Sequence, residues 1–106
     1  MRKQEVDFEL AMMGFAKSDG RDFLSAACLL YAGGMHRMQD ITAKISEVTG
    51  IRAGTVYNRM VISLRNAWKN APKSPKEMFD LSISRRCPTL KKFIKTFVDQ
   101  RMGEKV

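Results

Sequence analysis

The side chains best suited to chemistry in this chain follow one another at intervals of three and four residues: Thr55, Asn58, Ile62, Arg65 and Lys69, with Asn66 beside them. At about 100° per residue these positions share one arc of a helix, while Val56, Met60, Ser63, Leu64, Ala67 and Trp68 fall opposite. The first arc sets hydroxyl, amide, aliphatic and guanidinium groups in a row without an acid among them. Such a row suits the DNA major groove, where Asn pairs bidentately with adenine, Arg with guanine, and an aliphatic side chain meets a thymine methyl. Tyr57 and Arg59 flank the arc, Tyr57 half-buried and Arg59 free to reach a phosphate. A merely solvated helix face usually carries Glu as well as Lys. An exposed Ile62 with no acid nearby argues against that plainer reading.

Those positions need an element that aims them, and the stretch "ITAKISEVTGIRAGTVYNRMVISLRNAW" contains one. Asp40 is read as the cap of a helix with Ile41, Ile45 and Val48 inward, ended by Gly50 in a left-handed conformation. The next helix runs from about residue 53 to about residue 69. Two short helices joined at a glycine match a helix-turn-helix at about 40–69, with Ser46 as the small residue and Ile45, Ile51 and Val56 fixing the crossing. Crossed helices with a glycine turn also occur in purely structural bundles. The motif gains weight from the chemistry of its second helix.

Charge points the same way. Residues 1–51 hold six Lys or Arg against seven Asp or Glu, and residues 52–106 hold thirteen against four, so the net charge of +8 resides entirely in the second half. The excess begins where the second helix of the motif begins, which indicates a polyanionic partner. Arg52, Arg59, Lys69, Lys73, Arg85 and Arg86 surround the reading helix and are expected to hold phosphates, a task that needs positive charge without base-specific geometry.

The rest of the chain excludes much. With 106 residues and 44% apolar content it forms one domain with a single core. Cys28 and Cys87 lack CxxC spacing and are read as small buried hydrophobes. One histidine, His36, cannot build a zinc site with such distant thiols and is read as a loop residue. No nucleophile with a base and no acid–base pair stands at a workable spacing, so neither an enzyme nor a metal or cofactor is expected. The absence of a signal peptide and of a membrane-length apolar run fits a cytoplasmic protein.

Helical periodicity extends throughout, which predicts an all-α, compact bundle of about six helices. Val6, Leu10 and Met13 face inward on a first helix ending near Gly14. Ser18 or Asp19 caps a second that carries Phe23, Ala27, Leu30 and Tyr31 and stops at Gly33-Gly34. After the motif, Ser74, Pro75 and Glu77 form a capping-box pattern for a short fifth helix through Met78, Phe79 and Leu81. Thr89 or Cys87 caps a last helix with Leu90, Phe93, Ile94, Phe97 and Val98 inward. The eight methionines fall mostly in these stripes and are read as core.

From about Leu10 to Val98 the chain resembles the DNA-binding effector domain of the sporulation stage-zero response regulators, the master transcription factors of sporulation. The parallels are "GFAKSDGRDFLSAACLL" with the family's glycine-to-glycine approach to its Tyr-Leu-x-x-Ala helix, and "AKISEVTGIRAGTVYNRMVISLRNAW" with its helix-turn-helix ending in Ala-Trp. Pro88, Thr89, Phe93 and Ile94 match its terminal Pro-Thr followed by Phe-Ile. The resemblance implies a six-helix transcription factor that inserts its fourth helix into the major groove of double-stranded DNA. It also implies adjacent head-to-tail copies on DNA and an RNA polymerase sigma factor as a partner. In the family an acidic–basic pair and a later Arg and His contact DNA; these positions hold Tyr57, Asn58, Val61 and Ile62. A retained scaffold with changed readers implies a different target sequence. The connector between the second and third helices is shorter than the family's. Met1 lies almost at the first helix, so the chain is expected to lack the receiver domain and control by aspartyl phosphorylation.

The sequence therefore leads to a bacterial transcriptional regulator in which Thr55, Tyr57, Asn58, Ile62 and Arg65 read bases. The alternative is a protein-interaction module on the same scaffold, modulating another regulator through Val61 and Ile62.

Overall fold

The computed structural model describes residues 2–70 and 87–102, and every regular element among them is helical. The elements are α1 (Lys3–Met12), α2 (Asp19–Ala32), α3 (Met38–Thr49), α4 (Ala53–Asn70) and α5 (Leu90–Phe97), followed by a π-helical turn (Val98–Met102). The expected helix at Ser74, Pro75, Glu77, Met78, Phe79 and Leu81 lies outside the described residues, as do Lys73, Arg85 and Arg86. Among the described residues no helix is long and apolar enough to cross a membrane.

Local chemistry explains where the helices start and stop. Ser18 caps α2, its hydroxyl accepting from the Arg21 N–H at 3.2 Å, and Thr89 caps α5 by accepting from the Lys92 N–H at 3.2 Å. Of the alternative caps, Asp19 and Cys87 are thereby set aside. Gly14 ends the first turn region at φ 97°, and Phe15 N–H returns to Leu10 O at 3.1 Å. One expected start was misplaced: α3 begins at Met38 with Arg37 as its flanking residue, so Asp40 sits inside the first turn rather than at the cap. There its carboxylate still favours the positive end of the helix dipole.

α2 is the centre of the packing and meets α1, α3, α4 and α5. Its buried side is correspondingly broad: Phe23, Leu24, Ser25, Ala27 and Cys28 are all buried, while Leu30 and Tyr31 are only partly covered. Val6 and Leu10 of α1, Ile41 and Ile45 of α3, Val56, Met60 and Leu64 of α4, and Phe93, Ile94 and Phe97 of α5 complete one core. Phe93 lies 5.4 Å from Phe15 and 6.1 Å from Phe97 between ring centroids, which ties the last helix to the α1–α2 connection. Val48, expected inward, is 73% exposed. It lies three residues beyond Ile45, at the edge of a groove between α2 and α3.

Two polar groups complete the packing of α1 on α2. The buried Ser25 hydroxyl donates to Asp7, whose other carboxylate oxygen lies 3.0 Å from Lys3 Nζ. Cys28 is wholly buried, which pushes its thiol far up from the ordinary range. Cys87 is partly buried and its thiol is also raised by burial, with the charge of Arg65 opposing. Both remain protonated packing groups. His36 lies in the α2–α3 connection, its ring 4.4 Å from that of Tyr31.

Candidate nucleic-acid interface

The site is built from the turn upward. Gly50 sits at φ 76° and donates its N–H to Ser46 O at 2.8 Å, which closes α3 in the left-handed conformation the sequence required. Thr49, not singled out from the sequence, staples the same turn: its hydroxyl donates to Ile45 O at 2.7 Å and accepts from the Ile51 N–H at 3.2 Å. Arg52 O then accepts from the Val56 N–H at 2.9 Å and opens α4. With Ile45 and Val56 buried and Ile51 partly buried against the core, the crossing of α3 on α4 is held by apolar contact on both sides of the bend.

α4 divides as its periodicity demands. Val56, Met60, Ser63, Leu64, Ala67 and Trp68 are buried, and Asn58, Ile62, Arg65, Asn66 and Lys69 are exposed, with Thr55 partly exposed. Ile62 is 56% exposed and Tyr57 43%, large apolar surfaces for a helix to present to water. No acid belongs to α4 itself. Amide and hydroxyl groups, one aliphatic side chain and two cations thus share one exposed face, while Arg52 is exposed at its start. Val61, the other half of the alternative apolar contact, is partly buried against the core.

Arg59 is the point of difference. Expected to be free, it instead donates from Nη1 to Asp19 Oδ2 at 2.6 Å, across to the first turn of α2. The two helices can come so close because residue 20 is glycine: a β-carbon there would lie 2.4 Å from the Arg59 carbonyl oxygen and 2.8 Å from Ser63 Cβ. A cleft of about 360 Å³ opens beside the pair, with Arg59, Ile62 and Asn66 on the α4 wall and Gly14, Ala16, Ser18 and Asp19 on the other. The connection forming that second wall is anchored by Arg21, which donates from Nη1 to Phe15 O at 3.1 Å. Sequence periodicity marks neither Asp19 nor Gly20 as neighbours of α4. The only signal is that Gly20, inside a helix, is otherwise a costly choice.

The chain matches no protein-family model, no curated protein and no solved structure.

Proposed function

We propose that the protein is a sequence-specific double-stranded DNA-binding regulator of transcription in which α3 and α4 act as a helix-turn-helix and α4 enters the major groove. The observation that carries this reading is the exposed face of α4, where Asn58, Ile62, Arg65 and Asn66 stand together on a helix with no acid of its own, directly opposite a buried face. Because the buried half fixes the helix to the core, the exposed half is presented rigidly, which is what base recognition needs. Asn58, with Thr55 and Tyr57 near the start of α4, and Ile62 and Arg65 further along it are assigned to base edges. Arg52 and Lys69 are assigned to phosphates at its two ends. Lys73, Arg85 and Arg86 extend the phosphate set beyond the described residues.

The deciding experiment is selection of bound duplexes from a random library followed by sequencing. A shared motif among the selected duplexes is the expected result. Recovery of duplexes without a common motif, together with salt-insensitive capture of a protein partner lost on Ile62→Ala, would replace this reading with that of an interaction module.

A further inference from the structure

We propose that Asp19 withholds Arg59 from the phosphate backbone and thereby lowers the sequence-independent part of DNA affinity. The inference rests on the reading of α4 as the DNA-contacting helix and adds a residue that tunes its sequence-independent affinity.

Arg59 stands on the edge of the exposed face, in the wall it shares with Ile62 and Asn66, so its guanidinium is placed where a backbone flanking the groove would pass. By position alone it belongs with the phosphate contacts. Its charge, however, is matched at 2.6 Å by the carboxylate of Asp19, which among the described residues is the one acid lining this cleft. The pair is not an accident of two long side chains meeting in solvent. Asp19 is adjacent to Gly20, whose backbone is pressed onto that of Arg59, so the carboxylate is delivered by a helix-to-helix contact that a single methyl group would disrupt. Ser18 caps the same turn and Arg21 anchors the connection that leads into it, which leaves the carboxylate on a rigid support.

Both partners are about half exposed, at 48% for Arg59 and 64% for Asp19, so the pair contributes little to stability and solvent reaches both ends. Its effect falls on the electrostatics of the cleft. A phosphate entering there meets a cation already engaged by a carboxylate and gains no released counterion from Arg59. Non-specific binding loses one contact. Base reading by Asn58 and Arg65, on the other side of the exposed face, loses none, so the pair lowers the phosphate contribution by the same factor on any duplex and leaves sequence discrimination to the base readers.

The test compares Asp19→Asn with Asp22→Asn, which removes the same charge from the same end of α2 but faces the α2–α3 groove, each in wild-type and Arg59→Ala backgrounds. Binding is titrated on a selected and a scrambled duplex at several salt concentrations. Elution from immobilised heparin gives a measure of polyanion affinity independent of sequence reading, and circular dichroism verifies folding. Asp19→Asn is expected to tighten binding to both duplexes about threefold to tenfold beyond Asp22→Asn, to steepen the salt slope by about one unit, and to elute later from heparin. In the Arg59→Ala background the difference between the two substitutions should vanish. Equal behaviour of Asp19→Asn and Asp22→Asn, weaker binding by Asp19→Asn, or a gain that survives Arg59→Ala would each overturn the proposal. If library selection yields no motif while the Arg59-dependent heparin shift persists, the sequence-reading assignment fails and the latch stands as control of a polyanion-binding cleft.

Discussion

At the scale of single residues, Asn58 and Asp7 illustrate two kinds of consequence. Asn58 is exposed in the first turns of α4, and an amide there can make two bonds to one base edge. Asn58→Ala should cost about 1–3 kcal/mol on the selected site and little on scrambled DNA. Equal losses on both duplexes in a titration would remove Asn58 from the reading set. Asp7 acts on folding instead. Burial raises its carboxyl, but the hydrogen bond from Ser25, the ammonium of Lys3 and, least, the charge of Arg21 outweigh that and hold it below its ordinary value. The unfolded chain therefore binds this proton more readily than the folded one, and the stabilisation is complete above the unfolded carboxylate range, at about pH 4, and fades as pH falls through the depressed value. Thermal melts in the acid range should show a shallower loss of Tm with falling pH for Asp7→Asn than for the wild type. Parallel curves would mean that the Ser25 contact carries no linkage.

At the scale of elements, two glycines set how α4 is held, for different reasons. Gly50 has open space around its α-carbon, so a side chain there meets only backbone strain at φ 76°. Gly50→Val should destabilise the fold by about 1–3 kcal/mol, whereas Gly50→Asn, which tolerates the left-handed region, should cost much less. Gly20 has an ordinary helical backbone but no space, since a β-carbon would strike the Arg59 carbonyl. Gly20→Ala should then cost about 1–3 kcal/mol by forcing α2 from α4, and Asn should be no better tolerated than Ala. Denaturant melts of these four variants separate the mechanisms. A Gly20→Ala protein as stable as the wild type would show that α2 and α4 do not approach as described.

At the scale of the whole molecule, the charge asymmetry becomes a field. The first half is nearly neutral, with Lys3, Lys44 and Arg37 paired to nearby acids, while α4 carries Arg65 and Lys69 exposed and without acids of its own. If the α4 face and the flanking cations neutralise about four to six phosphates, log K against log salt should fall with a slope of about −4 to −5. A flat dependence between low and physiological salt would remove the DNA-binding function altogether.

Much of this protein follows from sequence alone because helices encode their own periodicity. The buried and exposed arcs of α4, the left-handed stop at Gly50 and the inward face of α5 depend on residues three to five apart, and each is found where the spacing places it. The start of α3 is not encoded in this way, because its flanking residue Arg37 makes no side-chain cap and the cap-type residue Asp40 lies inside the first turn. Spacing places Val48 inward, yet whether a helix position is covered depends on a neighbour, and among the described residues none covers it. The Arg59–Asp19 pair spans forty residues of chain and depends on two backbones meeting at Gly20. Local spacing thus determined which face of α4 is free, whereas only the tertiary packing decided which of its cations is already engaged, because that depends on distances across the fold that no local periodicity records.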